Sequence, residues 1–224
     1  MSCLSRNCFL QEKPRYTTGA AVLKKKYKII AMIIVVGVIV AGIAYYYLYL
    51  SRPPLKDPLV WSLVKNAPNT IKFYSPAFKN GGFIPNKYCV GDENKNPPLV
   101  IGGIPNNTKA LVIVMYDPDA PHGTFYHWIL YDIPPTVHKI PEGLPRYPVV
   151  PPYGLQGINS FGHVGYDGPA PPPGHLHHYY FVVMALDQPI NLNEGEPVEK
   201  VLDACKGHVI AYGYFYGVYE IMAG

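Results

Sequence analysis

The sequence predicts a mainly β domain preceded by one transmembrane helix. The chain contains 25 prolines and 21 glycines among 224 residues, a composition that favours turns over long helices. It also contains an apolar run without charge over residues 29–50. Apolar residues make up 49% of the chain, which suffices for the core of one ordinary domain.

The segment 29–50 has the length of a membrane-spanning helix. Its 22 residues would extend about 33 Å as a helix, against a hydrocarbon core of about 30 Å. Four lysines lie just before it, within residues 24–28. By the positive-inside rule, residues 1–28 form a basic cytoplasmic tail and the larger part of the chain lies outside the cell membrane. A cleaved signal peptide is the alternative, although its apolar run is usually about 7–15 residues long.

Charge is distributed unevenly along the chain. Residues 1–56 carry nine Lys and Arg against one acid, whereas residues 57–224 carry ten against fourteen acids. Phosphate contacts need a clustered positive face, so a net negative outer part argues against nucleic-acid binding. We expect neither a nucleic-acid partner nor a cofactor.

The outer part divides into a stalk and a domain. Residues 51–70 contain four prolines, and we interpret them as a proline-rich stalk. From residue 71 to residue 224 we predict one domain, because short β-type runs alternate there with turn residues. The predicted strands cover residues 71–74, 111–116, 125–132, 178–186 and 209–220. One helix is predicted after Pro197, with an apolar stripe from Val198 to Cys205 and Gly207 at its end.

The strand predicted over 125–132 carries a histidine in its middle. A period of two places His127 on one face with Ile129 and Tyr131, and Trp128 and Leu130 on the other. His127 would then project from a fixed framework, which suits a binding residue.

Three polar segments could form a site. Asp117 and Asp119 follow one predicted strand, His127 lies on the next, and His177 follows a proline-glycine loop over residues 168–174. If they converge, the histidines would face a small phosphate or carboxylate group, and Asp117 would orient an imidazole or receive an ammonium group. For any one segment alone, an Asp-Pro turn or a half-buried histidine is the alternative.

Metal binding and catalysis are less favoured. His175 and His177 alternate and could supply two metal ligands, but the next acid is Asp187. No serine occupies a Gly-x-Ser-x-Gly elbow. We therefore expect a binding protein rather than an enzyme, and keep a metal-dependent enzyme as a third hypothesis.

The cysteines divide along the predicted membrane. Cys3 and Cys8 would lie in the cytoplasm, whereas Cys89 and Cys205 would lie outside, where oxidation is possible. A disulfide between Cys89 and Cys205 and a pair of buried free thiols are both open.

Several separated motifs resemble, in order and spacing, those of the phosphatidylethanolamine-binding protein (Raf kinase inhibitor-like) family, most closely its bacterial and archaeal branch. The resemblance covers about residues 71–220. It is carried by the segments 75–78, 117–121, 127–128, 133–135, 159–174, 177–179 and 207–209. The resemblance implies a β-sandwich with a large antiparallel sheet and a C-terminal helix.

The resemblance also implies a pocket for small anions or phospholipid headgroups. By position, its ligand-binding residues are Asp117, Asp119, His127, Gly168, Pro172, His177 and Tyr179. Family members also inhibit peptidases, so a secreted or membrane peptidase is the alternative partner for an outward-facing domain. The chain departs from the family at His178, which replaces the usual Arg, and this change argues against kinase inhibition.

Overall fold

The computed structural model describes residues 18–50 and 57–222. Cys3 and Cys8, most of the predicted tail and the first part of the predicted stalk lie outside these residues. The chain divides into two compact units, Met1–Arg52 and Pro53–Gly224.

The first unit contains the predicted apolar helix, α1, over Thr18–Leu50. Its stretch Lys26–Ala44 has 19 residues, is exposed throughout, and is long and apolar enough to cross a membrane. A signal sequence near the N-terminus can meet the same criteria of length and composition. The helix is thus a candidate for either an anchor or a signal sequence.

The second unit contains eight strands among the described residues. They are β1 (Lys72–Tyr74), β2 (Leu99–Gly102), β3 (Ala110–Asp117), β4 (Phe125–Ile133), β5 (Lys139–Ile140), β6 (Leu155–Gln156), β7 (His177–Leu186) and β8 (Val209–Tyr219). Five form a large antiparallel sheet in the order β6-β4-β3-β7-β8, and three form a small sheet in the order β1-β2-β5. The predicted mainly β class with a large antiparallel sheet is confirmed.

Alternating side chains of the large sheet point to opposite faces and pack into two apolar cores, one on each face. Leu111 and Ile113 of β3 pack with Phe73 and Ile101 of the small sheet in the first core. Val112 and its neighbours on the opposite face pack with two short helices, α2 (Pro58–Val64) and α3 (Val198–Ala204), in the second core. Because both faces are covered, β3 is buried at every residue, as its continuous apolar run predicts.

The domain begins earlier than residue 71. Asp57 caps α2, since its carboxylate accepts hydrogen bonds from the Val60 backbone N–H at 2.6 Å and from the Tyr126 hydroxyl at 3.2 Å. Val60 and Val64 are fully buried. Residues 57–70, which we expected in the stalk, therefore belong to the domain: Pro58 begins a helix instead of a linker.

The predicted C-terminal helix is α3, and its apolar stripe is buried. Cys205 follows it in the second core, whereas Cys89 lies in the first core, on the opposite face of the large sheet. Both thiols are free, so of the two alternatives left open the buried free thiols hold and the Cys89–Cys205 disulfide is absent. Burial raises the pKa of each thiol to about 12.

Replacing the α2 cap tests whether residue 57 belongs to the folded domain. We expect Asp57→Ala to lower the free energy of unfolding by about 1–2 kcal/mol, because two hydrogen bonds to a buried carboxylate are lost. Urea unfolding followed by tryptophan fluorescence measures this change, since both tryptophans, Trp61 and Trp128, lie in the domain. The exposed Ser62→Ala is the control, and equal unfolding midpoints for the two variants would contradict the prediction.

Candidate functional site

A cavity of about 290 Å³ lies at the end of the large sheet where β3 ends and β4 and β7 begin. Its walls combine apolar residues with a few polar groups. They comprise Asp117, Ala120, Pro121, His122, Gly123, Thr124, Phe125, His127, Phe161, Ala170, Pro171, Pro172, His177 and Tyr179. Five of the predicted ligand-binding residues thus share one cavity, namely Asp117, His127, Pro172, His177 and Tyr179.

Asp117 and His177 form a buried pair in the cavity wall. Asp117 ends β3 and His177 begins β7, and these strands are antiparallel neighbours. The His177 Nδ1–H donates to Asp117 Oδ2 at 2.7 Å, and the Asp119 backbone N–H donates to Asp117 Oδ1 at 2.8 Å. Since both carboxylate oxygens have partners within the protein, the geometry favours an orienting role for Asp117 over the binding of a ligand ammonium group.

Asp119 and His178 form a second pair outside the cavity lining. The Asp119 carboxylate accepts hydrogen bonds from the backbone N–H of His178 at 2.9 Å and from its Nδ1 at 2.6 Å. Successive residues of β7 point to opposite faces of the sheet, so His178 packs near Tyr216 on the face opposite to His177. Asp119, a predicted ligand-binding residue, is thus hydrogen-bonded to His178 and is absent from the cavity lining.

A β-bulge aims His127 into the cavity. Met115 pairs with Trp128 and Tyr116 pairs with Tyr126, which leaves His127 as an extra residue in β4. Its ring centroid lies 5.2 Å from that of Tyr179, a residue of the first core. His127 therefore shares a face with Trp128, and the strict alternation that we expected is wrong at this position.

The His127 ring is buried and hydrogen-bonded. Its Nδ1–H donates to the backbone carbonyl of Asp167 at 2.8 Å. Burial lowers the pKa of His127 below its ordinary value of 6.5, although the carbonyls of Asp167 and Gly168 and the Asp117 charge act in the opposite direction. At neutral pH the ring is therefore uncharged.

The Asp167 carboxylate organises the loop beside His127. It accepts hydrogen bonds from Asn94 at 2.9 Å, Arg146 at 2.7 Å, Asn159 at 2.8 Å and His163 at 2.9 Å. Burial acts to raise the pKa of Asp167, but these hydrogen bonds together lower it. Asp167 is not among the predicted site residues, although it is the single acid between Glu142 and Asp187 and stands next to Gly168.

Gly168 supports the loop without lining the cavity. Its backbone N–H donates to the Asn94 side-chain oxygen at 2.8 Å. A Cβ at this position would collide with the Tyr88 carbonyl, so a residue without a side chain is required. Gly168 is therefore a packing residue, whereas Pro172 lies in the cavity wall as expected.

Tyr179 lines the cavity, and its hydroxyl is buried. Among the described residues, its oxygen has no hydrogen-bond partner of ordinary geometry, and the Ala170 backbone acts to lower its pKa. Burial raises the pKa of Tyr179, so the hydroxyl stays protonated.

His175 is exposed and absent from the cavity lining. The described residues contain no group of three His, Cys, Asp or Glu side chains arranged for a metal.

The fold and cavity define a class of protein: a β-sandwich with a small histidine-lined pocket at one end of its large sheet. The sequence model of the phosphatidylethanolamine-binding protein family matches residues 74–220. The chain belongs to this family.

Relatives occur in archaea and bacteria. A UPF0098 protein of Pyrococcus horikoshii is 50% identical over 149 residues, which are 65% of this chain and 75% of the relative. A crystal structure of a phosphatidylethanolamine-binding protein homologue from Chlamydia trachomatis superposes with a TM-score of 0.62 at 36% identity, over 68% of this chain and 98% of the other. The crystal structure of the E. coli protein YBCL, described as a new member of the mammalian family, superposes with a TM-score of 0.63 at 32% identity. The match covers 68% of this chain and 99% of YBCL.

The burial of neutral His127 predicts a pH dependence of stability. Its pKa in the folded state lies below the unfolded value of about 6.5, so the unfolded chain binds the extra proton as pH falls. The free energy of unfolding should therefore decrease below about pH 6.5, by at most about 1.4 kcal/mol per pH unit from this residue.

We expect His127→Gln to lose less stability than wild type between about pH 7 and pH 5. Urea unfolding at several pH values measures the difference, and the exposed His175→Gln serves as the control. Parallel curves for wild type and His127→Gln would show that His127 is not held neutral by burial.

Proposed function

We propose that the domain binds a small phosphate- or carboxylate-bearing ligand, such as a phospholipid headgroup, in the cavity at the end of the large sheet. The observation that carries the proposal is the convergence of His127 and His177 on one cavity. Each ring uses Nδ1 for a hydrogen bond within the protein, which orients the ring and leaves Nε2 for a ligand. Tyr179 lies in the same wall.

The apolar part of the wall strengthens these polar contacts. Ala120, Pro121, Phe125, Phe161 and Pro171 line most of the remaining surface. Charge-assisted hydrogen bonds are stronger where water is excluded. A volume of about 290 Å³ lies at the lower end of small-ligand sites, so it suits a headgroup or free anion better than an entire lipid.

The place of this domain in the cell is part of the proposal. The length of the apolar run in α1, its exposure and the lysines just before that run support a retained membrane anchor with a cytoplasmic N-terminus. The cavity would then face the outside of the cell. A peptidase as the partner stays a prediction, and the geometry of the cavity favours the small anion.

Removal of one imidazole tests the binding proposal. We expect His177→Ala to weaken binding of phosphate or phosphorylethanolamine by about 10–100-fold, because a charge-assisted hydrogen bond to a buried anion is lost. Calorimetry on the full chain in detergent micelles measures the affinity. His175→Ala should bind as wild type does, since His175 lies outside the cavity lining, and unaltered binding by His177→Ala would contradict the proposal.

The mature N-terminus and protease accessibility test the location. We expect N-terminal sequencing of the membrane fraction to find the chain uncleaved, and protease added to intact cells to reach the domain. A mature chain that begins after residue 44 would identify a signal sequence, and a protected domain would contradict the proposed orientation.

A further inference from the structure

An exposed turn of the domain carries a sequence motif that the ligand cavity does not use. The segment Asn106-Asn107-Thr108 has the pattern Asn-x-Thr, which is the acceptor tripeptide of N-linked glycosylation. No other asparagine among the 224 residues is followed two positions later by Ser or Thr. Because a tripeptide alone is a weak signal, its place in the fold matters.

The tripeptide lies in a tight turn between β2 and β3. The Thr108 backbone N–H donates to the Pro105 carbonyl at 3.0 Å, which closes a four-residue turn. Asn106 and Asn107 occupy the two central positions of this turn, and both are exposed. A sugar attached to Asn106 would therefore project into solvent from the folded domain.

The folded domain makes no use of the Thr108 hydroxyl. Thr108 is 5% exposed, and among the described residues its buried side-chain oxygen has no hydrogen-bond partner. A buried hydroxyl without a partner costs free energy, so such a group calls for an explanation. Valine carries a methyl group in place of the hydroxyl and would avoid this cost. Glycosylation supplies the explanation, since the acceptor tripeptide requires a hydroxyl at this position.

A hollow of about 260 Å³ adjoins the turn. Asn106 and Thr108 line it together with Pro135, Thr136 and His138, of which Thr136 and His138 are exposed. These two side chains offer hydrogen-bonding groups to the hydroxyls of a sugar, so the first sugar on Asn106 has a surface on which to pack. The turn precedes β3, whereas the ligand cavity lies where β3 ends. A glycan here would leave that cavity open.

We infer that Asn106 is a site of N-linked glycosylation. The inference rests on the outward location in the proposed function, because this modification belongs to secreted chains and outer domains. It needs only export of the domain, which a retained anchor and a cleaved signal sequence would both provide.

The co-reactant is an oligosaccharide joined through its anomeric carbon to a lipid phosphate. The Asn106 amide nitrogen forms a bond to that carbon and loses one proton. The bond from the carbon to the phosphate oxygen breaks, and the lipid phosphate leaves with the electron pair. Because the Thr108 hydroxyl is buried in the folded domain, the transferring enzyme meets the tripeptide before the turn folds.

Mass spectrometry of the full chain isolated from its own cells tests the site. Trypsin would release residues 96–109 as one peptide, because Lys95 and Lys109 are the flanking cleavage sites. We expect this peptide to carry an added mass that fragments into sugar residues and is attached at Asn106.

The protease experiment on intact cells separates the two ways in which this expectation can fail. An unmodified peptide from a chain whose domain the protease reaches overturns this inference alone. An unmodified peptide from a chain whose domain is protected overturns the proposed location and this inference with it.

Three variants made in the same cells test the tripeptide. Asn106→Gln and Thr108→Val should lose the sugar completely, because each removes a group that the acceptor pattern requires. Thr108→Ser keeps a hydroxyl at the same position and should retain the sugar. A Thr108→Val chain that still carries the sugar, or a Thr108→Ser chain that folds without it, would overturn recognition through this tripeptide.

Urea unfolding tests the explanation of the buried hydroxyl. Wild type and Thr108→Val are both produced in a host without N-linked glycosylation, so neither carries a sugar. We expect the midpoint of Thr108→Val to equal or exceed that of wild type, because the change removes a buried hydroxyl that has no partner. A lower midpoint would show that the fold itself uses the hydroxyl and would overturn its explanation by glycosylation.

Discussion

The cavity depends on a buried negative charge that must be satisfied from within the protein. Asp167 is 3% exposed. Its carboxylate accepts hydrogen bonds from the side chains of Asn94, Arg146, Asn159 and His163. An unpaired carboxylate there would cost several kcal/mol, so these distant segments are held together. Their junction fixes the Asp167 carbonyl, which in turn holds the ring of His127. One structural charge thereby determines the geometry of His127, the proposed binding residue, which its own carboxylate does not contact.

The end of the large sheet carries two His–Asp pairs with different surroundings. Asp117 and His177 are buried and line the cavity, whereas Asp119 and His178 are partly exposed and lie outside its lining. The Asp119 backbone N–H donates to the Asp117 carboxylate. The short segment after β3 therefore positions the carboxylates of both pairs. The inner pair meets the ligand in our proposal. In the outer pair, His178 stands where the resemblance to the family implies an arginine.

Membership of the phosphatidylethanolamine-binding protein family agrees with this arrangement of fold and cavity. The solved relatives are matched over almost their whole length by about two thirds of this chain. The apolar helix α1 is therefore additional to the domain that the relatives share. In our proposal it brings a family domain with a small histidine-lined cavity to a membrane, where an anionic headgroup or free anion is the ligand.

The sequence by itself determined the fold class, the apolar helix, the main strands and the three segments that carry Asp117, His127 and His177. Periodicity and turn chemistry are local properties, so they can be read from the sequence. Tertiary structure decided the rest. The bulge at His127 arises from its register against Met115 and Tyr116, which no local pattern encodes. The Asp167 cluster joins side chains up to 73 residues apart, and the cysteines stay apart because the sheet lies between their cores. These features are set by pairing and packing between distant segments, so only the folded chain defines them.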